Sequence, residues 1–176
     1  MPDTRSETVE FATNGTTSHG FLAVPQGDGS FPGVIVIQEW WGLDDHIKDV
    51  ARRFAGAGFV ALAPDLYHGK VATEPGEAQK LMMSLDMNNA SRELVKATEY
   101  LASQPAVGGR GIGTIGFCMG GGLALTLACD SPHVRASAPF YGMNPNPIDK
   151  VEKLGDKPEH DRLVARTTEI YKLLHS

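Results

Sequence analysis

Two short stretches of this 176-residue chain carry residue types that could do covalent chemistry. The first is Gly116-Phe117-Cys118-Met119-Gly120-Gly121, where a cysteine has glycine two positions before it and two after it. Residues 112–117 read as a strand and 119–129 as a helix of small residues, so Cys118 falls where a strand turns sharply into a helix. A nucleophile on such a turn is held in a strained conformation, and the flanking glycines remove clashes. The free N–H groups and positive dipole end of the following helix favour a thiolate and can stabilise an oxyanion developing on a carbonyl. Together these features suit acyl transfer to sulfur. Cys129 lies at the far end of the same helix. Eleven residues of helix set the two backbones roughly 16 Å apart, and a disulfide needs Cα atoms within about 7 Å. Cys129 therefore reads as an inert packed thiol, too distant to resolve a redox switch at Cys118.

The second stretch is Gln38-Glu39-Trp40-Trp41-Gly42-Leu43, directly after the β-branched run Gly33-Val34-Ile35-Val36-Ile37. In open α/β sheets, ligands bind outside the carboxyl ends of the strands, which is where this loop falls. A carboxylate there can hydrogen-bond the thiol, and the N–H of Trp40 can complete an oxyanion hole with that of Met119. The two tryptophans would form an apolar wall. The plainer alternative is a solvated glutamate beside two packing tryptophans. Residues 111–116 spell G-x-G-x-x-G, but here the glycines precede or form a strand instead of opening a helix, which argues against a dinucleotide site.

The remaining chain supplies elements to position these loops. Residues 9–12 and 20–24 read as strands of an opening hairpin around Asn14-Gly15. Asp44 or Asp45 can cap a helix carrying Ile47, Val50, Ala51 and Phe54 and ending at Gly56 or Gly58. Residues 59–63 form the next buried strand, 77–85 and 91–103 two helices, and 134–140 a further strand. Leu94, Val95, Ala97, Thr98 and Leu101 share one side of the second helix. The alternation predicts one domain over residues 1–176, a mainly parallel α/β sheet of six strands with helices on both faces. Its core spans 1–142, and 143–176 comprises a loop and an amphipathic helix over 159–174. No run after Tyr141 has four consecutive strand-like residues, so the alternation stops there.

Composition excludes several classes. The formal charge is −5, with no basic block, which argues against nucleic acid or an anionic membrane as partner. The N-terminus has no apolar segment behind a positive start, so a cytoplasmic location is expected, and two free thiols fit a reducing compartment.

Residues 34–43, Ala63-Pro64-Asp65-Leu66-Tyr67, Gly116–Gly121 and Tyr141-Gly142 together resemble the dienelactone hydrolase family in order and spacing, from the N-terminus to about residue 155. The resemblance implies an α/β-hydrolase fold and hydrolysis of cyclic enol-lactones or related small esters, with no cofactor or metal. It implies that Cys118 attacks the carbonyl, that Glu39 helps control the thiol, and that Met119 and Trp40 supply oxyanion N–H groups. Trp41, Tyr67 and His68 would face the substrate. Relatives often carry an arginine for a substrate carboxylate just after the Asp-Leu-Tyr block, where this chain has His68-Gly69-Lys70. The family's triad Asp and His follow two further strands that the pattern here does not supply, and His160 is the replacement base to consider. Lacking those strands, residues 134–140 would form an apolar edge suited to pairing with a second copy of the chain. The alternative to an enzyme is accordingly a binding or self-associating protein that retains the pocket.

Overall fold

The computed structural model describes residues 3–13, 15–145 and 148–151. Strands β1 (Thr4–Thr13), β2 (Thr16–Pro25), β3 (Gly33–Ile37), β4 (Val60–Pro64), β5 (Ile112–Phe117) and β6 (Val134–Phe140) form one sheet in the order β1-β2-β4-β3-β5-β6. The first two strands pair antiparallel, β2 is antiparallel to β4, and the other neighbours are parallel. Helices α1 (Asp45–Gly56), α2 (Pro75–Ser84), α3 (Met87–Ser103) and α4 (Met119–Asp130) link the parallel strands, and a 3₁₀ turn spans Ile148–Val151. This is the expected six-stranded α/β architecture. The helix expected over 159–174 lies outside the described residues.

Both faces of the sheet are covered, because the strand period of two splits each buried run between two helical layers. Val34 and Val36 of β3, with Ala61 and Ala63 of β4 and Phe21 of β2, join Ile47, Val50, Ala51 and Phe54 of α1. Ile35 and Ile37 point the other way, with Val60 and Leu62, onto Leu94, Ala97 and Leu101 of α3 and Leu123 and Leu127 of α4. Both isoleucines are fully buried, a contribution of about 2 kcal/mol each.

Boundaries differ from the sequence expectation where polar residues hide the pattern. Both hairpin strands run to ten residues, because Arg5–Thr8 are exposed and pair through the backbone alone. Helix α3 starts at Met87 instead of Ser91, capped by Asp86, whose carboxylate accepts from the N–H groups of Asn88 at 2.9 Å and Asn89 at 3.1 Å. Helix α2 begins at Pro75 instead of Glu77, using proline at the helical position where a missing N–H costs nothing. Asp44 caps α1, accepting from Ile47 N–H at 2.9 Å. Strand β6 is the outermost strand at its end of the sheet among the described residues, and it carries Arg135 and Pro139, residue types that disfavour edge pairing.

Candidate active site

Cys118 is the N-cap of α4, with φ +54° and ψ −120°. A left-handed conformation at a non-glycine residue costs of order 1–3 kcal/mol and persists only where neighbours impose it. Here the Cys118 N–H donates to Phe140 O at 3.0 Å, and its carbonyl accepts from the N–H groups of Gly121 at 3.0 Å and Gly122 at 3.3 Å. The glycine spacing follows from contact between backbones. A Cβ on Gly116 would strike the Gly120 carbonyl, and one on Gly120 would meet the Gln38 carbonyl and lie 2.6 Å from Ile37 O. These contacts seat the start of α4 directly against the end of β3. The Cys118 residue is exposed at the carboxyl edge of the sheet, while Cys129 is half-buried.

The same contacts bring the Gln38–Gly42 loop alongside the helix start. Among the described residues, the N–H groups of Trp40 and Met119 donate to no backbone carbonyl. Gln38 is buried, and its Oε1 accepts from Leu66 N–H at 3.1 Å, tying this loop to the one after β4. Half-buried Glu39 accepts from the Tyr141 hydroxyl through Oε1 at 3.3 Å. Among the described residues, Glu39 makes no hydrogen bond to the Cys118 thiol. Tyr141 follows β6 at φ +41° and is 73 % exposed. Its phenol is raised above the ordinary 10, first by burial, then by the charge and hydrogen bond of Glu39, and lastly by Cys118. The phenol is thus kept as a neutral donor to the Glu39 carboxylate. In the sequence Tyr141 stood out only within a family block. The physical signal for it is its place, the first residue beyond the carboxyl end of the strand next to β5.

The loop after β4 is braced by Asp65, whose carboxylate accepts from Tyr67 N–H at 3.1 Å and Gly69 N–H at 2.6 Å. His68, between them, is held at φ +52°. Tyr67 is buried, and its hydroxyl donates to Met119 Sδ at 3.6 Å. Burial, and then the charge of Cys118, pushes the Tyr67 phenol up to about 12. His68 is on the carboxyl edge, but its Nε2 faces Glu93 Oε2 of α3 at 3.7 Å. Trp40 and Trp41 meet edge to face with ring centroids 5.2 Å apart, and the Trp41 carbonyl accepts from Ala72 N–H at 2.8 Å. Phe117 stacks on Phe140 with ring centroids 5.1 Å apart.

The structure therefore brings Cys118, Met119, Trp40, Glu39 and Tyr67 to one edge, places Trp41 and His68 on loops of that edge, and adds Tyr141. His133 lies between α4 and β6, at the opposite edge. His160 lies outside the described residues. Residues 112–116 of the G-x-G-x-x-G run lie within strand β5, where a dinucleotide fingerprint would instead open a helix. Among the described residues no cluster of three His, Cys, Asp or Glu could hold a metal ion, and no helix is long and apolar enough to cross a membrane.

Known proteins are similar to this chain in sequence and in fold. The chain is 42 % identical over 142 residues to protein usf of Aquifex pyrophilus and 39 % identical over 142 residues to a protein of Aquifex aeolicus named "Putative carboxymethylenebutenolidase". Each match covers 77 % of this chain and 61 % of the relative, so the chain spans about three fifths of the length of these relatives. Among solved structures, a dienelactone hydrolase-like promiscuous phosphotriesterase from metagenomic libraries superimposes with a TM-score of 0.74 at 26 % identity, covering 96 % of this chain and 77 % of that one. The sequence profile of the dienelactone hydrolase family matches residues 19–158. With the glycine-framed turn and the six-stranded sheet, that match places the chain in the dienelactone hydrolase family.

Proposed function

We propose that this chain hydrolyses small lactones and esters, with Cys118 as nucleophile. The observation that carries the reading is the conformation of Cys118, left-handed, exposed at the carboxyl sheet edge, and fixed by the Phe140 carbonyl. Sulfur attacks the carbonyl carbon, and the carbonyl oxygen takes the negative charge between the N–H groups of Met119 and Trp40. The ester C–O bond then breaks, the leaving oxygen gains a proton, and water hydrolyses the thioester to release the acid. Removing one oxyanion donor of this kind costs about 10²-fold or more in turnover elsewhere, which is why two N–H groups at this sheet edge that donate to no backbone carbonyl among the described residues support the assignment. Glu39, positioned by the Tyr141 hydroxyl, sets the charge near the thiol. Trp41, Tyr67 and His68 line the approach. His160 is the proposed proton acceptor on the sequence argument alone. The name of the Aquifex aeolicus relative supports a lactone as the substrate class.

Turnover of phenyl acetate and of dihydrocoumarin by wild type, C118A and H160A tests this. The proposal expects both substrates to be cleaved by wild type and C118A to fall to the buffer rate. Equal turnover by wild type and C118A refutes the nucleophile. Unchanged turnover by H160A refutes the base and leaves the nucleophile intact.

A further inference from the structure

Helix α3 buries Ala90, Leu94, Ala97 and Leu101, and Glu93 is buried with them at 5 % exposure. A carboxylate at that depth needs hydrogen-bond donors. Among the described residues it has none: Oε1 is sealed from solvent with no partner, and Oε2 stands 3.7 Å from His68 Nε2, inside ion-pair range but beyond a hydrogen bond. Leaving a buried charge without donors is costly, so a donor that reaches Oε2, the oxygen not sealed from solvent, would relieve that cost.

Glu93 is also a wall shared by two clefts. The larger, about 470 Å³, runs between the β1–β2 turn and α3, where Thr13, Thr16, Thr17, His19, His68 and Asn89 complete its lining. The smaller, about 200 Å³, includes Glu93, His68 and Asn89 and continues to Tyr67. Among the described residues, Glu93 is the only carboxylate that lines the larger cleft and no Lys or Arg lines it; Arg92 reaches one lining residue, its Nη2 donating to Asn89 Oδ1 at 3.3 Å. Lys70 reaches the smaller cleft alone, where Asp86 also lines the wall. Threonine hydroxyls and the Asn89 amide oxygen add neutral acceptors. Cys118 lines neither cleft, so a ligand here does not need the nucleophile.

We propose that the cleft beneath the β1–β2 turn binds the primary ammonium group of a small polar molecule, with Glu93 as its anionic partner. An ammonium carries three N–H donors and one positive charge. Glu93 supplies the charge and one acceptor, and the hydroxyls and Asn89 supply the others. A quaternary ammonium has the charge without the donors, and a carboxylate ligand is repelled.

Amide NMR titration with ethanolamine, tetramethylammonium and acetate, each at constant ionic strength, tests the site. Ethanolamine is expected to give saturable shifts at Asn89, Glu93 and His68, with affinity at least tenfold weaker in Glu93→Gln. Thr17→Lys, an exposed change that puts a tethered ammonium at the cleft mouth, is expected to weaken ethanolamine equally and decides the matter if Glu93→Gln does not fold. Absence of saturable shifts, equal affinity for tetramethylammonium, or full affinity in the variants overturns the proposal.

Discussion

Replacing Gly120 by alanine tests whether the turn at Cys118 is built by contact between backbones. The new Cβ would meet the Gln38 carbonyl and lie 2.6 Å from Ile37 O, and neither neighbour is the end of a flexible side chain. Relief requires β3 to part from α4, which also moves the Trp40 and Met119 N–H groups out of register. Overpacking typically costs about 1–3 kcal/mol, and two rigid neighbours put this site at about 3 kcal/mol. For a chain of this length about 2–4 °C accompanies each kcal/mol, so the midpoint should fall by about 6–12 °C. Gly76 is the control. It lies in α2, where an added Cβ meets nothing within 4 Å, and alanine there should raise stability by about 0.5 kcal/mol through backbone entropy. Thermal unfolding of the two variants should therefore move in opposite directions. A Gly120→Ala midpoint within about 2 °C of wild type, a threshold of about 1 kcal/mol on the same scale, would refute the packing argument.

Three further substitutions probe the surrounding loops. Asp65→Asn replaces one acceptor of the Tyr67 and Gly69 N–H groups with an amide that cannot accept, so urea denaturation should show a loss of about 1–3 kcal/mol; an unchanged midpoint would count against the brace. Tyr141→Phe removes the hydroxyl that donates to Glu39, and kcat/KM on phenyl acetate should drop about tenfold, the kinetic equivalent of about 1.4 kcal/mol. Because Tyr141 is largely exposed, the melting temperature should hold. Tyr67 has its folded pKa raised to about 12 against about 10 unfolded, so above pH 10 the unfolded chain loses this proton first. The stability from its neutral form is complete below pH 10 and is lost as pH rises towards 12. Tyr67→Phe should flatten that stretch of the stability–pH curve, and an unaltered slope would contradict the burial argument.

The sequence shows most clearly those features that depend on spacing. Gly116 and Gly120 frame Cys118 because two close backbone approaches fall two residues either side of it, and β3 stands out because both its faces are covered. Asp44 is readable as a cap for the same local reason. The outer residues of β1 are hidden because they pair through the backbone and show no alternation. The α3 start is hidden because Asp86 caps polar Asn88 and Asn89 ahead of the first buried position. The contacts of Tyr141 and Glu93 leave no local signal in the sequence for a deeper reason. Tyr141 acquires its partner 102 residues away through sheet order. Glu93 has the pattern of an ordinary surface charge on a helix, and only the packing of α3 against the sheet buries it.

The cysteine assignment meets its most direct test in intact-mass spectrometry after brief exposure to p-nitrophenyl acetate, followed by peptide mapping. The account predicts a single acetyl group on the peptide containing Cys118 in wild type and none in C118A. An acetyl group carried equally by C118A, or found on Cys129 while Cys118 stays free, would contradict it.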